Sequence, residues 1–493
     1  MYVWRLIYGK RINPKGKGVL IMSAGVFLVI LVLSIAALML LIMKAKLHPV
    51  FSLFSVALVM SLVMGFSFAE SLVNINAGFG GTLQSLGIPI MLGAILAMGV
   101  QDTGAAKSIA NFFIRLFHGK NLELAPALTG YVVSIPVFGD ITTILTSNIA
   151  NVLSKRKRIS MGKMAAFTQA GLNLTHAMVP PTPGILAVSI MLGADLGLTI
   201  SWGIVISLIA FFVTWLVLRK WTDKEYVEPV PAVVAEIEET NSDKVSDILI
   251  KGEDLPGTFA SFLTILIPVF LIAFSSFVKM AIPDADSAVR AITDVLGDKI
   301  VALGLGVIYT ILLAITHKNS VRKSNEDVTG KNPREFREVV LNSWFGRGME
   351  VALPALLITG MGGAFASVIK SSPAIEGLSQ VIADSGVPGL LIPFLVGVIM
   401  MTAVGSMTTA GLTAAGVIMP MMASLGLTPI STALAIGAGT MIFNHVNNSG
   451  FWVISKFFNL DLKQGLKYIT IPDVVAGITC FILVFIFAAV GLL

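Results

Sequence analysis

The sequence predicts an all-α polytopic membrane protein made of two inverted-topology repeats that carry re-entrant hairpins and broken helices. Three observations lead there: charge is confined to a few short stretches, polar breaks recur at one sequence offset, and basic residues flank the two sets of breaks differently. Of 493 residues, 55% are apolar and 13% charged; a soluble chain of this size carries about a quarter charged residues. Residues 19–43 contain no ionisable group, and about 20 such residues cross a bilayer core. Comparable runs occupy 49–68, 200–218, 258–278, 300–315 and 473–493. The basic segment ahead of residue 19 precedes an apolar run too long for a cleaved signal peptide, so the run is expected to be a retained span. The net charge of +6 sits beside apolar runs, and no stretch is suited to a soluble nucleic-acid-binding domain. A single cysteine, Cys480, excludes an intramolecular disulfide.

The expected organisation is a cytoplasmic basic N-terminus over 1–18, a first membrane repeat over 19–221, an acidic linker over 222–256 and a second membrane repeat over 257–493. The linker holds ten acids against three lysines, a composition that stays solvated. Across it, GAILAMGVQDTG at Gly93 faces GMGGAFASVIK at Gly360. At the same offset YVVSIPVFGD faces VGVIMMTAVGS, and NLTHAMVPPTPG faces FNHVNNSGFW. Lys155, Arg156, Lys157 and Arg158 follow the first hairpin, whereas no lysine or arginine lies between Ser371 and Gly450. Basic flanks mark the cytoplasmic side, so the two copies are expected to be inverted, an arrangement used by carriers. About ten to twelve spans are expected, plus the hairpins.

Four segments break the apolar pattern. In Ile135–Asp140, Pro136 lacks an N–H and Gly139 relaxes the helix. Asp140 lies in that break, where an aspartate costs about 2.5–3.5 kcal/mol at a span centre; it either faces a cavity or caps the next half-helix. In Asn173–Gly184, Pro180, Pro181 and Pro183 unwind a helix beside Asn173, Thr175, His176 and Thr182. His176 titrates near neutral pH, or it bridges helices. The third segment is Gly405–Gly411, with Ser406, Thr408 and Thr409; its ordinary reading is close helix packing. The fourth, Asn444–Trp452, packs His445, Asn447, Asn448 and Ser449 behind an apolar run, a polar density that is costly in hydrocarbon without water, ligand or mutual bonds.

None of the four segments holds a lysine or arginine, so an anion would be held by half-helix N-termini, free N–H groups and amides. Asp102, Asp195 and Glu350 lie nearer segment ends, where solvated roles are expected. No Walker loop and no HExxH cluster occurs, and the five histidines are scattered, so neither ATP drive nor a metal-dependent intramembrane enzyme is expected. A channel would require a continuous polar pore. The residues therefore read as a secondary carrier without cofactor.

GFGGTLQSLG (78–87), APALTGYVVSIPVF (125–138), LTHAMVPPTPG (174–184), GADLG (193–197), TAAGVIMP (413–420) and HVNNSGFW (445–452) resemble the gluconate permease (GntP) family of the ion transporter superfamily. The resemblance spans most of the chain. It implies a homodimer in a bacterial inner membrane, with a scaffold and a substrate domain that moves as an elevator. It implies import of gluconate, related hexonates or, in one branch, D-serine, typically with protons. Substrate contacts are then expected at Phe138, Gly139, Asn173, Thr175, His176, Thr182, Ser406, Thr408, Thr409, His445, Asn447, Asn448 and Ser449, and proton coupling at Asp140 and His176. The chain departs from the family at Phe138-Gly139, where bulky residues precede the acid; at Thr182, which replaces a histidine; and at Asn448, which replaces an acid. The alternative is a Na⁺-coupled carrier of another small carboxylate, hydroxy acid or D-serine, since Asn, Ser, Thr and backbone carbonyl oxygens ligate hard cations.

Overall fold

The computed structural model describes residues 8–12, 18–22, 24–118, 120–135, 139–231, 249, 254–282, 287–330, 335–371, 388–423, 425–445 and 448–493. A short antiparallel hairpin, β1 (Tyr8–Ile12) and β2 (Gly18–Met22), sets Tyr8 opposite Met22. Its second strand takes the first residues of the apolar run expected over 19–43, so the first helix begins at Ala24.

The first half continues as α1 (Ala24–Met43), α2 (Pro49–Val63), α3 (Phe68–Asp102), α4 (Ala105–Leu116), α5 (Leu124–Val133), α6 (Gly139–Lys157), α7 (Met161–Met178), α8 (Pro183–Leu192) and α9 (Leu196–Leu218). The second comprises α10 (Thr258–Ala281), α11 (Ala288–Leu296), α12 (Lys299–Thr316), α13 (Lys318–Thr329), α14 (Trp344–Lys370), α15 (Leu391–Val404), α16 (Met407–Ile418), α17 (Pro429–Met441), α18 (Ser449–Phe457), α19 (Leu462–Gly465) and α20 (Ile471–Ala489). Among the described residues, seven helices are long and apolar enough to cross a membrane. The helices α5, α15 and α16 are apolar but shorter, at 10, 14 and 12 residues.

The starts are set by capping chemistry. Ser67 and Glu70 form a capping box for α3. Asp195 accepts the Leu198 N–H at 2.9 Å and caps α9. Pro49, Pro183 and Pro429 stand in first turns, where a missing N–H costs nothing.

One order of elements occurs twice. Leu124 and Leu391, Gly139 and Met407, Met161 and Pro429, Pro183 and Ser449, and Leu196 and Leu462 begin corresponding helices, each pair 266 to 268 residues apart. Packing recurs with it. A Cβ at Gly171 on α7 would run into the Ala127 carbonyl on α5, and one at Gly439 on α17 would run into the Phe394 carbonyl on α15. Without hydrophobic drive in lipid, such backbone-to-backbone approach is what holds helices together.

Two findings depart from expectation. Asp102, expected near solvent, is fully buried at the end of α3. Arg347 donates to it bidentately at 3.0 and 3.2 Å, Trp344 Nε1 at 2.8 Å and Ser324 Oγ at 3.0 Å, so it joins α3, α13 and α14. Second, the expected linker is anchored over 222–231: Val227 N–H donates to Ser160 Oγ, Val230 N–H to Asn151 Oδ1, and Lys467 Nζ donates to Glu225 at 2.8 Å. Residues 232–248 and 250–253 of that segment lie outside the described residues. Glu350 is exposed, as expected, and lines a cavity.

Arg347→Met should lower stability by about 3 kcal/mol, because it strands a buried carboxylate; a thermal melt in detergent measures it. Glu225 is held below the ordinary carboxylate range, chiefly by the Lys467 hydrogen bond and then by Gln464. A lowered carboxylate stabilises the fold above its unfolded pKa, and that contribution is lost as pH falls through the lowered value. Lys467→Met should therefore cost at most about 1 kcal/mol at neutral pH, the pair being half-exposed. The deficit should begin to shrink as pH falls below about 4 and vanish once pH passes the lowered value.

Candidate functional site

A cavity of about 480 Å³ opens where the broken segments meet, a volume in the range of small-ligand sites. Helix α7 contributes Gln169, Asn173 and His176, spaced so that one helical face looks into it. The start of α6 brings Gly139 and Thr143, and the turn between α15 and α16 brings Gly405, Ser406 and Thr408. Asn444 and Asn448 come from the break between α17 and α18, with Gly450 in the first turn of α18. The remaining wall is α14, with Glu350, Val351, Pro354 and Ile358.

Each break is built locally. Gly405 has φ +68°, which an L side chain resists, and the chain turns there from α15 into α16. Ser406 then caps α16 through the Thr409 N–H at 3.4 Å. Asn448 caps α18, its Oδ1 accepting the Gly450 N–H at 2.7 Å, while its Nδ2 donates to Asn444 Oδ1 at 2.8 Å. The bond between Pro180 and Pro181 is cis, and α8 restarts at Pro183.

Three helix N-termini thus reach the cavity: Gly139 of α6, Met407 of α16 with its cap, and Gly450 of α18 with its cap. Each carries about half a positive charge at its first turn. No lysine or arginine lines the cavity among the described residues, and Glu350 is its one acidic lining residue. Pro354 also removes the N–H that would bond the Glu350 carbonyl, adding an acceptor on that wall.

The cavity brings together Gly139, Asn173, His176, Ser406, Thr408 and Asn448 from the expected site. Thr175, Thr182, Thr409 and His445 are not among its lining residues. Thr175 is buried toward α5 against Ser134 Oγ, and it bonds the Leu172 carbonyl. Thr182 spends its hydroxyl on the Val179 carbonyl at 2.9 Å, satisfying backbone freed at the break. Thr409 donates to Ser406 Oγ at 3.2 Å, inside the first turn of α16. Phe138 and Asn447 lie outside the described residues; of Asp140 and Ser449 only the backbone is described, in the first turns of α6 and α18.

Gln169, Thr143, Asn444 and Glu350 join the lining without having been singled out as contacts. Behind it stands Asp473, fully buried, whose Oδ2 accepts Asn173 Nδ2 at 2.8 Å and Asn444 Nδ2 at 3.1 Å. Its signal in the sequence was a lone acid leading an apolar run.

A family model described as GntP family permease matches residues 26–490. The chain is 31% identical to an uncharacterized permease of Haemophilus influenzae, the match covering 90% of this chain and 89% of that protein. It is 27% identical to the high-affinity gluconate transporter of Escherichia coli, over 89% of this chain and 94% of that protein. It is 26% identical to the Gnt-II system L-idonate transporter of the same organism, over 92% and 96%. The crystal structure of the YdaH transporter of Alcanivorax borkumensis, reported as having an unusual topology, has the same fold, with TM-score 0.59 and 16% identity over 90% of this chain and 99% of that one.

Asn448→Ala removes a helix cap and should cost about 1 kcal/mol. Asn448→Asp keeps the capping oxygen and should retain most of that stability. Thermal melts of the purified variants separate the two.

Proposed function

The chain belongs to the GntP permease family of multi-pass bacterial inner-membrane proteins, and from that premise we propose that it imports gluconate or a related hexonate anion by proton symport. One observation carries the reading: three helix N-termini and a set of amides and hydroxyls converge on a cavity whose described lining holds no lysine or arginine. A sugar acid is a carboxylate on a chain of hydroxyls. Helix N-termini hold the carboxylate without a fixed cation, so the anion is released as readily as it is bound. Asn173, Asn448, Gln169, Ser406 and Thr408 suit the hydroxyls. Relatives named for gluconate and for L-idonate support the same substrate class.

Alternating access follows an elevator in this reading. Both hairpins and both broken helices form the moving body. α14, packed on α3 and α2, forms the fixed wall. The cavity lies between the two. The recurrence of elements about 267 residues apart supports paired repeats, and the basic flank after α6 supports their inversion. The homodimer is carried over from the family resemblance. Asp140, in the first turn of α6, and His176, on the cavity wall, serve proton entry in this reading.

A second reading has its own observation. Glu350 and the carbonyl left free by Pro354 share one wall, and oxygen donors of that kind suit a sodium ion.

Purified protein in liposomes, given labelled gluconate under separate H⁺ and Na⁺ gradients, tests both. Saturable accumulation under an inward H⁺ gradient, competed by L-idonate but not by D-serine, is expected. Accumulation that requires Na⁺ would replace the coupling ion, and absence of saturable uptake would end the substrate reading. With one proton per anion, a one-unit pH gradient sustains about tenfold accumulation. Asp140→Asn should bring that ratio close to one while weakening substrate binding much less; equal loss of both would remove Asp140 from coupling.

A further inference from the structure

Among the described residues, Asp473 is the buried acid inside the bundle that no cation pairs. It lies in the first turn of α20 and is fully buried. Its Oδ2 accepts from Asn173 and Asn444, and its Oδ1 is buried with no hydrogen-bond partner. Its two partners belong to the two broken segments, and both line the cavity. Asn444 is held further, its carbonyl accepting Thr470 Oγ1 at 2.6 Å. One carboxyl group therefore clamps both halves of the cavity floor.

Charged and titratable groups stand on every side, but none forms an ion pair with it. On α7 these are Lys163, engaged by Glu123 and Asp223, and His176. α9 has Asp195 before its start and Arg219, set over the Trp215 ring, after its end. α17 has none in its own span, and His445 follows it. The turn before α20 has Lys467, paired with Glu225, and Tyr468. A bare carboxylate in such a place costs several kcal/mol, and two amide donors on one oxygen offset only part of it. Protonation removes the charge. It also weakens both charge-assisted bonds, loosening Asn173 and Asn444 together.

We infer that Asp473 is the group that carries the coupling proton through the transport cycle, and that its occupancy sets the grip of Asn173 and Asn444 on the substrate. This rests on the proton-driven reading above. A proton from cavity water forms an O–H bond at Oδ1, and that bond breaks to water on the cytoplasmic side; no electrons are exchanged. His176, one turn along α7 from Asn173 with a buried, unpartnered Nδ1, is the relay from the cavity.

The test compares wild type, Asp473→Asn and Asp473→Glu, each reconstituted and checked by thermal melt. Gluconate counterflow without a gradient, accumulation under a one-unit pH gradient, and the infrared difference spectrum between acid and alkaline pH are read. Asp473→Asn should retain measurable counterflow, lose the about tenfold accumulation, and lack a protonated-carboxyl carbonyl band present in wild type. Asp473→Glu should restore part of the accumulation with the band shifted. Equal accumulation by wild type and Asp473→Asn, or a band unchanged by substitution, would overturn the assignment. So would loss of counterflow and accumulation together in both variants. If Asp473→Asn does not fold, the band shift in Asp473→Glu decides alone. The infrared reading needs no substrate, so it stands apart from a wild type that fails to move gluconate.

Discussion

Inside a bilayer an unpaired backbone N–H or C=O has no water to turn to, and that constraint organises the whole molecule. The chain breaks its helices in four places, so each break must be enclosed by protein or face a wet cavity. Half-length arms, proline-started helices and small-residue contacts all follow from it. Gly171 against the Ala127 carbonyl and Gly439 against the Phe394 carbonyl let the arms pack backbone to backbone on the broken helices. Ser406, Asn448 and Thr182 satisfy backbone groups that the breaks set free.

Several of the broken ends face one space. Helix N-termini at the breaks are the positive ends of dipoles, and three of them reach one cavity whose described lining holds no lysine or arginine. The same economy governs acids elsewhere. Asp102 is fully buried but paired with Arg347 and bonded by two further donors, an arrangement that ties α3, α13 and α14 together. Asp473 is equally buried, but among the described residues two amides are its hydrogen-bond partners. One acid is held by a cation among the wall helices; the other has no cation partner among the described residues and sits where the two broken segments join.

Several features were legible residue by residue. Pro136, Pro180, Pro181 and Gly405 announced interruptions, because a missing N–H or a freed φ acts locally whatever surrounds it. The offset near 267 residues was visible in three weak resemblances, and it recurs in the helix starts. Side-chain direction was not legible. Thr175 and Thr182 stand within a few residues of His176, yet one faces a neighbouring helix and the other its own backbone. A hydroxyl beside a break is as useful for repairing that break as for holding a ligand, and local sequence does not separate the two.

The amino-acid sequence by itself determined the membrane class, the places where helices stop, and the family, because hydropathy, proline chemistry and motif order are properties of short stretches. Only the tertiary structure decided which polar groups share a cavity and which acids are paired. Asp102 met Arg347 across 245 residues, and Asp473 met Asn173 across 300. Contacts of that reach depend on how helices cross, which no local pattern encodes.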